Sequence, residues 1–215
     1  MVDTSLRITE IFYSLQGESL TVGVPTVFVR LTGCPLRCQY CDSEYAFHGG
    51  TRLSIDEILA KVDSYKAKTV CVTGGEPLAQ PDCLVLLTAL CDRGYRVSLE
   101  TSGALSIADV DTRVSRVVDL KTPGSGEVSK NLYANIDYLT KHDQIKFVLC
   151  DRQDYDWACF KIAEYDLTQK AHVFMSPSFG QINPTELADW IVNDNLDVRF
   201  QLQLHKILWG DKPGK

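Results

Sequence analysis

The stretch Thr69-Val70-Cys71-Val72-Thr73-Gly74-Gly75-Glu76-Pro77 reads as a buried strand that runs straight into a tight turn. A continuous β-branched and apolar run suits a strand covered on both faces. The glycine pair, acid and proline that follow punctuate it. A helix pattern comes next at 81–93, opening on Pro81-Asp82 and closing at Gly94, a residue type suited to a left-handed helix end. Strand, turn and helix make one βα unit. The same rhythm recurs on either side, with strand runs at 25–31, 95–100, 116–120, 145–150, 172–176 and 198–204. Helix patterns fall at 131–141 and 153–165, and after two start signals. Ser54-Ile55-Asp56-Glu57 is a capping box, and Ile55, Ile58, Leu59 and Val62 behind it form one apolar stripe. Asn183-Pro184-Thr185-Glu186 combines a cap with proline in the first turn.

Such alternation belongs to the α/β class with a parallel sheet. About six units fit into the 215 residues, whereas a closed eight-unit barrel usually needs ~250. The expected fold is therefore an incomplete parallel (β/α) barrel, and residues 1–215 form a single core domain with short N- and C-terminal extensions. Ligands of parallel sheets bind at the C-terminal strand ends. The polar residues there are Gly33-Cys34, Thr73 to Glu76, Glu100 to Gly103, Lys121-Thr122, Ser176 to Ser178 and His205-Lys206, and they should share one mouth.

With 28 acidic and 22 basic residues the net charge is -6, which argues against nucleic-acid binding and against a polybasic membrane anchor. No run approaches the ~20 apolar residues of a membrane span. Met1 to Arg7 carries an early acid and no apolar segment, so no signal peptide is expected and the compartment is cytoplasmic. Eight cysteines in a chain without an export signal do not read as a disulfide frame. Cys71, Cys83, Cys91, Cys150 and Cys159 are scattered, mostly among apolar neighbours, as small buried hydrophobes are.

Cys34-Pro35-Leu36-Arg37-Cys38-Gln39-Tyr40-Cys41 is different. A loop with this spacing wraps three sulfurs around a metal centre. A structural zinc site wants four ligands, and no fourth Cys or His lies within finger-like range. Three thiolates suit a four-iron cluster with one iron left open. A zinc site completed from afar and three unrelated thiols stay open at this point.

The Cys-x3-Cys-x2-Cys loop with Tyr40 before its last cysteine resembles that of the radical S-adenosylmethionine enzymes. Gly74-Gly75-Glu76-Pro77 is similar to the segment that holds the methionyl end of their cofactor. Glycines let backbone approach a ligand, and a carboxylate accepts hydrogen bonds from an ammonium. The resemblance implies a 4Fe-4S cluster on Cys34, Cys38 and Cys41, S-adenosylmethionine on the open iron, and hydrogen abstraction by a 5′-deoxyadenosyl radical.

Within that group the chain resembles the 7-carboxy-7-deazaguanine synthase family over nearly its whole length. The matching segments are Glu10 to Ser19, read as a tight substrate-contacting loop, Phe28 to Cys34, Cys41-Asp42-Ser43, Leu99 to Gly103 and His205-Lys206. The implied substrate contacts are Leu15, Gln16, Gly17, Arg30, Thr73 and His205. A guanidinium such as that of Arg30 suits a carboxylate bidentately. The implied cofactor contacts are Tyr40, Cys41, Asp42, Gly75, Glu76, Glu100, Ser102, Lys121, Thr122, Ser176, Pro177, Ser178 and Phe179, with Ser43 meeting Mg2+. Asp119-Leu120-Lys121-Thr122-Pro123 stands where many relatives read Ser-Pro-Lys, and the chain runs on past His205 as far as Lys215. The implied reaction is a lyase step of queuosine and 7-deazapurine biosynthesis. It turns 6-carboxy-5,6,7,8-tetrahydropterin into 7-carboxy-7-deazaguanine, with abstraction at C6 and loss of ammonia. A reductant such as flavodoxin and a homodimer are implied partners. One rival is an activating enzyme that makes a glycyl radical on a partner protein. It shares the cysteine spacing but needs a mouth open to a peptide. The other is a non-catalytic zinc or electron-transfer protein, which leaves Gly74-Gly75-Glu76-Pro77 without a purpose.

Overall fold

The computed structural model describes residues 4–210, 212 and 214. Met1 to Asp3, on which the leader reading rests, lie outside the described residues, as do Asp211, Pro213 and Lys215 of the tail. Nine strands form one open sheet: β1 (Ser5–Leu15), β2 (Pro25–Leu31), β3 (Thr51–Ser54), β4 (Thr69–Gly74), β5 (Arg96–Thr101), β6 (Ser115–Asp119), β7 (Gln144–Leu149), β8 (His172–Pro177) and β9 (Arg199–Phe200). Their order is β3-β1-β2-β4-β5-β6-β7-β8-β9. From β2 to β9 each neighbouring pair is parallel, while β1 runs antiparallel to both β2 and β3. The sheet does not close, so the incomplete barrel stands.

The helices are α1 (Ile55–Ser64), α2 (Cys83–Asp92), α3 (Arg152–Glu164), α4 (Leu167–Lys170), α5 (Pro184–Asn193) and α6 (Leu204–Trp209). The capping box forms: Glu57 N–H donates to Ser54 Oγ at 3.3 Å and Ser54 N–H donates to Glu57 at 2.8 Å. Ile58, Leu59 and Val62 turn inward from α1. They join one apolar core with Val27, Val29, Val70, Val72, Leu99, Ile145, Phe147 and Met175 from the strands. Four of the five scattered cysteines are buried, and Cys159 is partly so.

Three expectations need correction. Residues 10–15, read as loop, belong to β1, and only Gln16 to Ser19 stay in a loop. The segment 131–141 is no α-helix; Tyr133–Tyr138 forms tight 3-10 turns instead. Its Asn135 is buried and spends its side chain on Ile107 N–H and the Gly103 and Leu105 carbonyls, which anchors a loop rather than extending a helix. The run 198–204 yields only the two-residue β9, and Leu204 already begins α6. There Gln201 still donates its N–H to the Met175 carbonyl of β8 at 3.0 Å, but its side chain holds Ser19, accepting from the Ser19 N–H at 2.6 Å and donating to the Ser19 carbonyl at 2.9 Å.

One buried ion pair ties β6 to the turn before β7. Asp143 is fully buried and takes Arg116 Nη2 at 2.6 Å, Arg116 Nε and N–H at 2.9 Å each, and Thr140 N–H at 2.8 Å. Burial works against its charge, but the Arg116 and Thr140 bonds outweigh it and hold its carboxyl below the ordinary value. Asp143→Ala should cost about 3–5 kcal/mol, because it leaves Arg116 charged and unpaired. Denaturant titration reads this directly. A depressed folded pKa means that the pair contributes fully above about pH 4 and fades as pH falls below that. An unchanged midpoint in the variant, or an acid limb of stability that Asp143→Asn leaves as it is, would contradict the assignment.

Candidate active site

The C-terminal ends of the parallel strands open into a cavity of about 630 Å³. Consecutive strands β2, β4, β5, β6 and β7 each contribute a polar side chain to it: Arg30, Thr73, Glu100, Asp119 and Lys146. Register explains the juxtapositions, since Arg30 pairs with Thr73 and Asp119 with Lys146 across adjacent strands. Thr73 Oγ1 donates to Glu100 at 3.3 Å, and Gln16 Nε2 donates to the other Glu100 oxygen at 3.2 Å. Arg30 Nε donates to Glu10 at 2.8 Å, and its guanidinium lies 5.7 Å from the centre of the Tyr45 ring.

The cysteine loop forms one wall of the cavity. Cys34, Cys38 and Cys41 all line it, each half-buried. Burial pushes the Cys38 thiol up to about 11, and Lys121 pulls in the opposite direction. Burial also raises Cys34 and Cys41, and Lys121 again counteracts it. Among the described residues no three His, Cys, Asp or Glu side chains crowd around one ion. The donor set fits an iron–sulfur cubane, in which each sulfur meets a different iron and one iron keeps an open position. Gly75 supports that fit. A Cβ there would run into the Gly33 carbonyl and come within 2.7 Å of Cys34 Cβ, so the β4 turn and the cysteine loop can approach this closely only with glycine at that position. Glu76 N–H donates to the Gly33 carbonyl at 2.8 Å.

The loop is also pinned from the far side. Gln39 N–H donates to the Ser125 carbonyl at 3.1 Å, and Arg37 N–H donates to Glu127 at 2.6 Å. Behind that segment the buried Asp154 accepts from Thr122 Oγ1, Gly124 N–H and Cys150 N–H at 2.8–2.9 Å.

On the opposite side, the connection between β1 and β2 and the helix α6 close on each other. Leu204 N–H donates to the Gly17 carbonyl at 2.9 Å, and a Cβ on Gly17 would collide with His205 Nδ1. Ser43 Oγ donates to Asp42 at 2.8 Å at the rim. Burial opposes the Asp42 charge, yet the Ser43 bond and the cations Lys206 and Lys146 lower its pKa on balance.

Most residues proposed from sequence therefore line one cavity: Leu15, Gln16, Gly17, Arg30, Thr73 and His205, with Cys34, Cys38, Tyr40, Cys41, Asp42, Ser43, Gly75, Glu100, Ser102, Lys121, Ser178 and Phe179. Four do not reach it. The Glu76 carboxylate is fully buried and already accepts from Thr101 Oγ1, Ser102 N–H and Oγ, and Leu78 N–H, so it braces the strand ends. Thr122 Oγ1 is spent on the Val148 carbonyl and Asp154. Ser176 and Pro177 are buried within β8. Sequence reasoning missed Lys146, whose only signal was a lone cation in the apolar run Gln144-Ile145-Lys146-Phe147-Val148-Leu149, and it gave no individual role to Asp119 and Glu18 beside it, although both lie in segments it singled out.

Comparison with known proteins agrees with this geometry. Residues 28–119 match the Radical SAM superfamily. The chain is 45% identical over 210 residues, 96% of each chain, to the 7-carboxy-7-deazaguanine synthase of Chlorobaculum tepidum. It is 45% identical over 219 residues to that of Koribacter versatilis, covering 95% of this chain and 97% of the relative. Identity to the Thermoplasma acidophilum enzyme is 38% over 211 residues, 97% and 100% of the two chains. In fold it is similar to the crystal structure of QueE from Escherichia coli, with a TM-score of 0.76 at 24% identity over 94% and 95% of the two chains. Streptococcus suis SuiB bound to S-adenosylmethionine gives 0.57 at 14% identity, covering 82% of this chain and 47% of SuiB. By its sequence over nearly its full length, and by the cysteine-walled cavity at its strand ends, this chain belongs to the 7-carboxy-7-deazaguanine synthase family of radical S-adenosylmethionine enzymes.

Proposed function

We propose that the protein is a lyase that converts 6-carboxy-5,6,7,8-tetrahydropterin to 7-carboxy-7-deazaguanine with release of ammonia, within queuosine and 7-deazapurine biosynthesis. The observation that carries the reading is the single cavity in which Cys34, Cys38 and Cys41 share walls with Gln16, Arg30 and His205. When bound, a 4Fe-4S cluster and S-adenosylmethionine supply the electron and the 5′-deoxyadenosyl radical that takes hydrogen from C6. The chain supplies position. Cys34, Cys38 and Cys41 hold the cluster, and Gly75, having no side chain, lets the turn after β4 pack directly against Gly33 and Cys34 beside it. Arg30 holds the substrate carboxylate, and His205 with the Gln16-Gly17 backbone closes over the substrate and excludes water.

Residues 1–215 act as one core domain in this reading, supported by the continuous sheet and the single apolar core. Mg2+ binds at Ser43, where one hydroxyl leaves most of a hard ion's shell to waters and substrate oxygens. A flavodoxin-like reductant, a cytoplasmic location and a homodimer complete the reading. No helix among the described residues is long and apolar enough to cross a membrane.

The decisive experiment is anaerobic turnover with reductant, S-adenosylmethionine, Mg2+ and the carboxytetrahydropterin, followed by mass spectrometry. Deazapurine product is expected; 5′-deoxyadenosine without it would retain the chemistry and reject the substrate. Arg30→Ala should keep its iron and lose about 10- to 100-fold in apparent substrate affinity, the worth of a charge-assisted pair. An unchanged affinity would remove Arg30 from the substrate site. Ser43→Ala should shift the Mg2+ dependence of product formation several-fold while cofactor cleavage changes little. Equal Mg2+ titrations for variant and parent would place the ion elsewhere.

A further inference from the structure

The cavity holds a charged group that the proposed reaction has not yet used. Lys146 sits mid-wall on β7 with its ammonium 3.0 Å from Glu18 Oε2 and 3.9 Å from Asp119 Oδ2. An ammonium has three donors. The Glu18 bond uses one, and the Asp119 separation is an ion pair beyond hydrogen-bonding distance. Both flanking carboxylates keep an oxygen without a partner: Glu18 Oε1 and Asp119 Oδ1 are buried and unsatisfied among the described residues. Asp119 Oδ2 is engaged by Lys121 at 2.7 Å. All three residues line the cavity, and none belongs to the apolar core. Buried polar atoms are seldom left unpaired in a finished site. Acceptor, donor and acceptor thus stand side by side with unused capacity.

We propose that Glu18, Lys146 and Asp119 read the pyrimidinone edge of the substrate, whose N3–H, C4 carbonyl and N5–H present the complementary order donor, acceptor, donor. Glu18 accepts from N3–H, Lys146 donates to the carbonyl and Asp119 accepts from N5–H, the nitrogen next to the reacting C6. This rests on the pterin reading above and goes beyond it by assigning the residues that discriminate among bicyclic substrates. Discrimination follows from mismatch. An analogue with an amine in place of the C4 carbonyl turns an N–H toward the ammonium, and its N3, now a bare ring nitrogen, no longer donates to Glu18.

The test is anaerobic equilibrium binding to the reconstituted enzyme of three probes: 6-carboxy-5,6,7,8-tetrahydropterin, its 2,4-diamino analogue, and S-adenosylmethionine. The parent protein should bind the lactam about 10- to 100-fold more tightly than the diamino analogue, the worth of a hydrogen bond to a charged group. Lys146→Gln should lose the part of that preference that the ammonium imposes, because an amide accepts from an amine as well as it donates to a carbonyl, while the mismatch of N3 with Glu18 remains. Its affinity for S-adenosylmethionine should not move. Equal binding of lactam and diamino probes by the parent protein would overturn the proposal without any variant, so a poorly folded Lys146→Gln does not block the test. A Lys146→Gln protein that loses S-adenosylmethionine but keeps the pterin preference would overturn it too, and would assign the trio to the cofactor. Parent protein that neither binds nor converts the carboxytetrahydropterin rejects the substrate reading itself. Conversion without discrimination between the two pterins rejects only the assignment of the trio.

Discussion

Cys38→Ala is expected to give folded protein that is colourless, carries no stoichiometric iron and forms no 5′-deoxyadenosine above background. Cys38 lies half-buried on the connection after β2, outside the apolar core, so the fold does not depend on its side chain. The loop keeps its shape through backbone bonds that the substitution leaves intact: Gly33 N–H to the Ala46 carbonyl at 2.8 Å and Gln39 N–H to the Ser125 carbonyl at 3.1 Å. What goes is one of the three thiols proposed to hold the cluster. Two thiols bind an iron–sulfur cubane poorly, and no spare thiol lines the cavity to replace the third. Iron and sulfide analysis, absorbance near ~400 nm and a thermal melt separate the two effects. Loss of turnover with iron and melting both unchanged would mean that the ligands lie elsewhere.

Gly75→Ala is the second large effect. The φ of Gly75 lies outside the left-handed region, so alanine costs nothing in backbone conformation, and the penalty is one of space. The new methyl would meet the Gly33 carbonyl and Cys34 Cβ at 2.7 Å, both rigid neighbours. Either the β4 turn or the cysteine loop must retreat. Overpacking of this kind costs about 1–3 kcal/mol of stability. Displacing a cluster ligand by about 1 Å costs on the order of a hundredfold in rate. Reconstituted variant should therefore melt lower and release 5′-deoxyadenosine about a hundred times more slowly. Parent-like rates would show that the contact between the two segments does not position the site.

The parallel half of the fold was legible because its strands are continuous apolar runs: the span read as 25–31 is the observed Pro25–Leu31. The antiparallel strand β1 was not. β1 carries Arg7, Thr9, Glu10 and Ser14 among its apolar residues and is mostly half-buried, so neither alternation nor a solid run marks it. The cysteine loop and Gln16-Gly17 announced themselves by rare residue types in a fixed pattern. Glu76 bears the same kind of mark, yet the turn directs its carboxylate inward to Thr101 and Ser102. Lys146 and Asp119 meet only because β6 and β7 pair in one register, a fact of tertiary structure that neither segment carries alone. Asp154 likewise supports the loop through Thr122 and Gly124, which lie 32 and 30 positions from it in the sequence.

The closure of α6 onto Gly17 has a bearing on how the protein is made. During synthesis the cysteines and the glycine turn emerge before Leu204 and His205. Until they leave the ribosome, the Gly17 carbonyl has no Leu204 N–H to hold, and the pocket lacks one of its sides. Assembly order thus acts as a safeguard. A nascent chain that gathers iron ahead of schedule still cannot confine a reactive radical, because the wall that α6 supplies has yet to emerge.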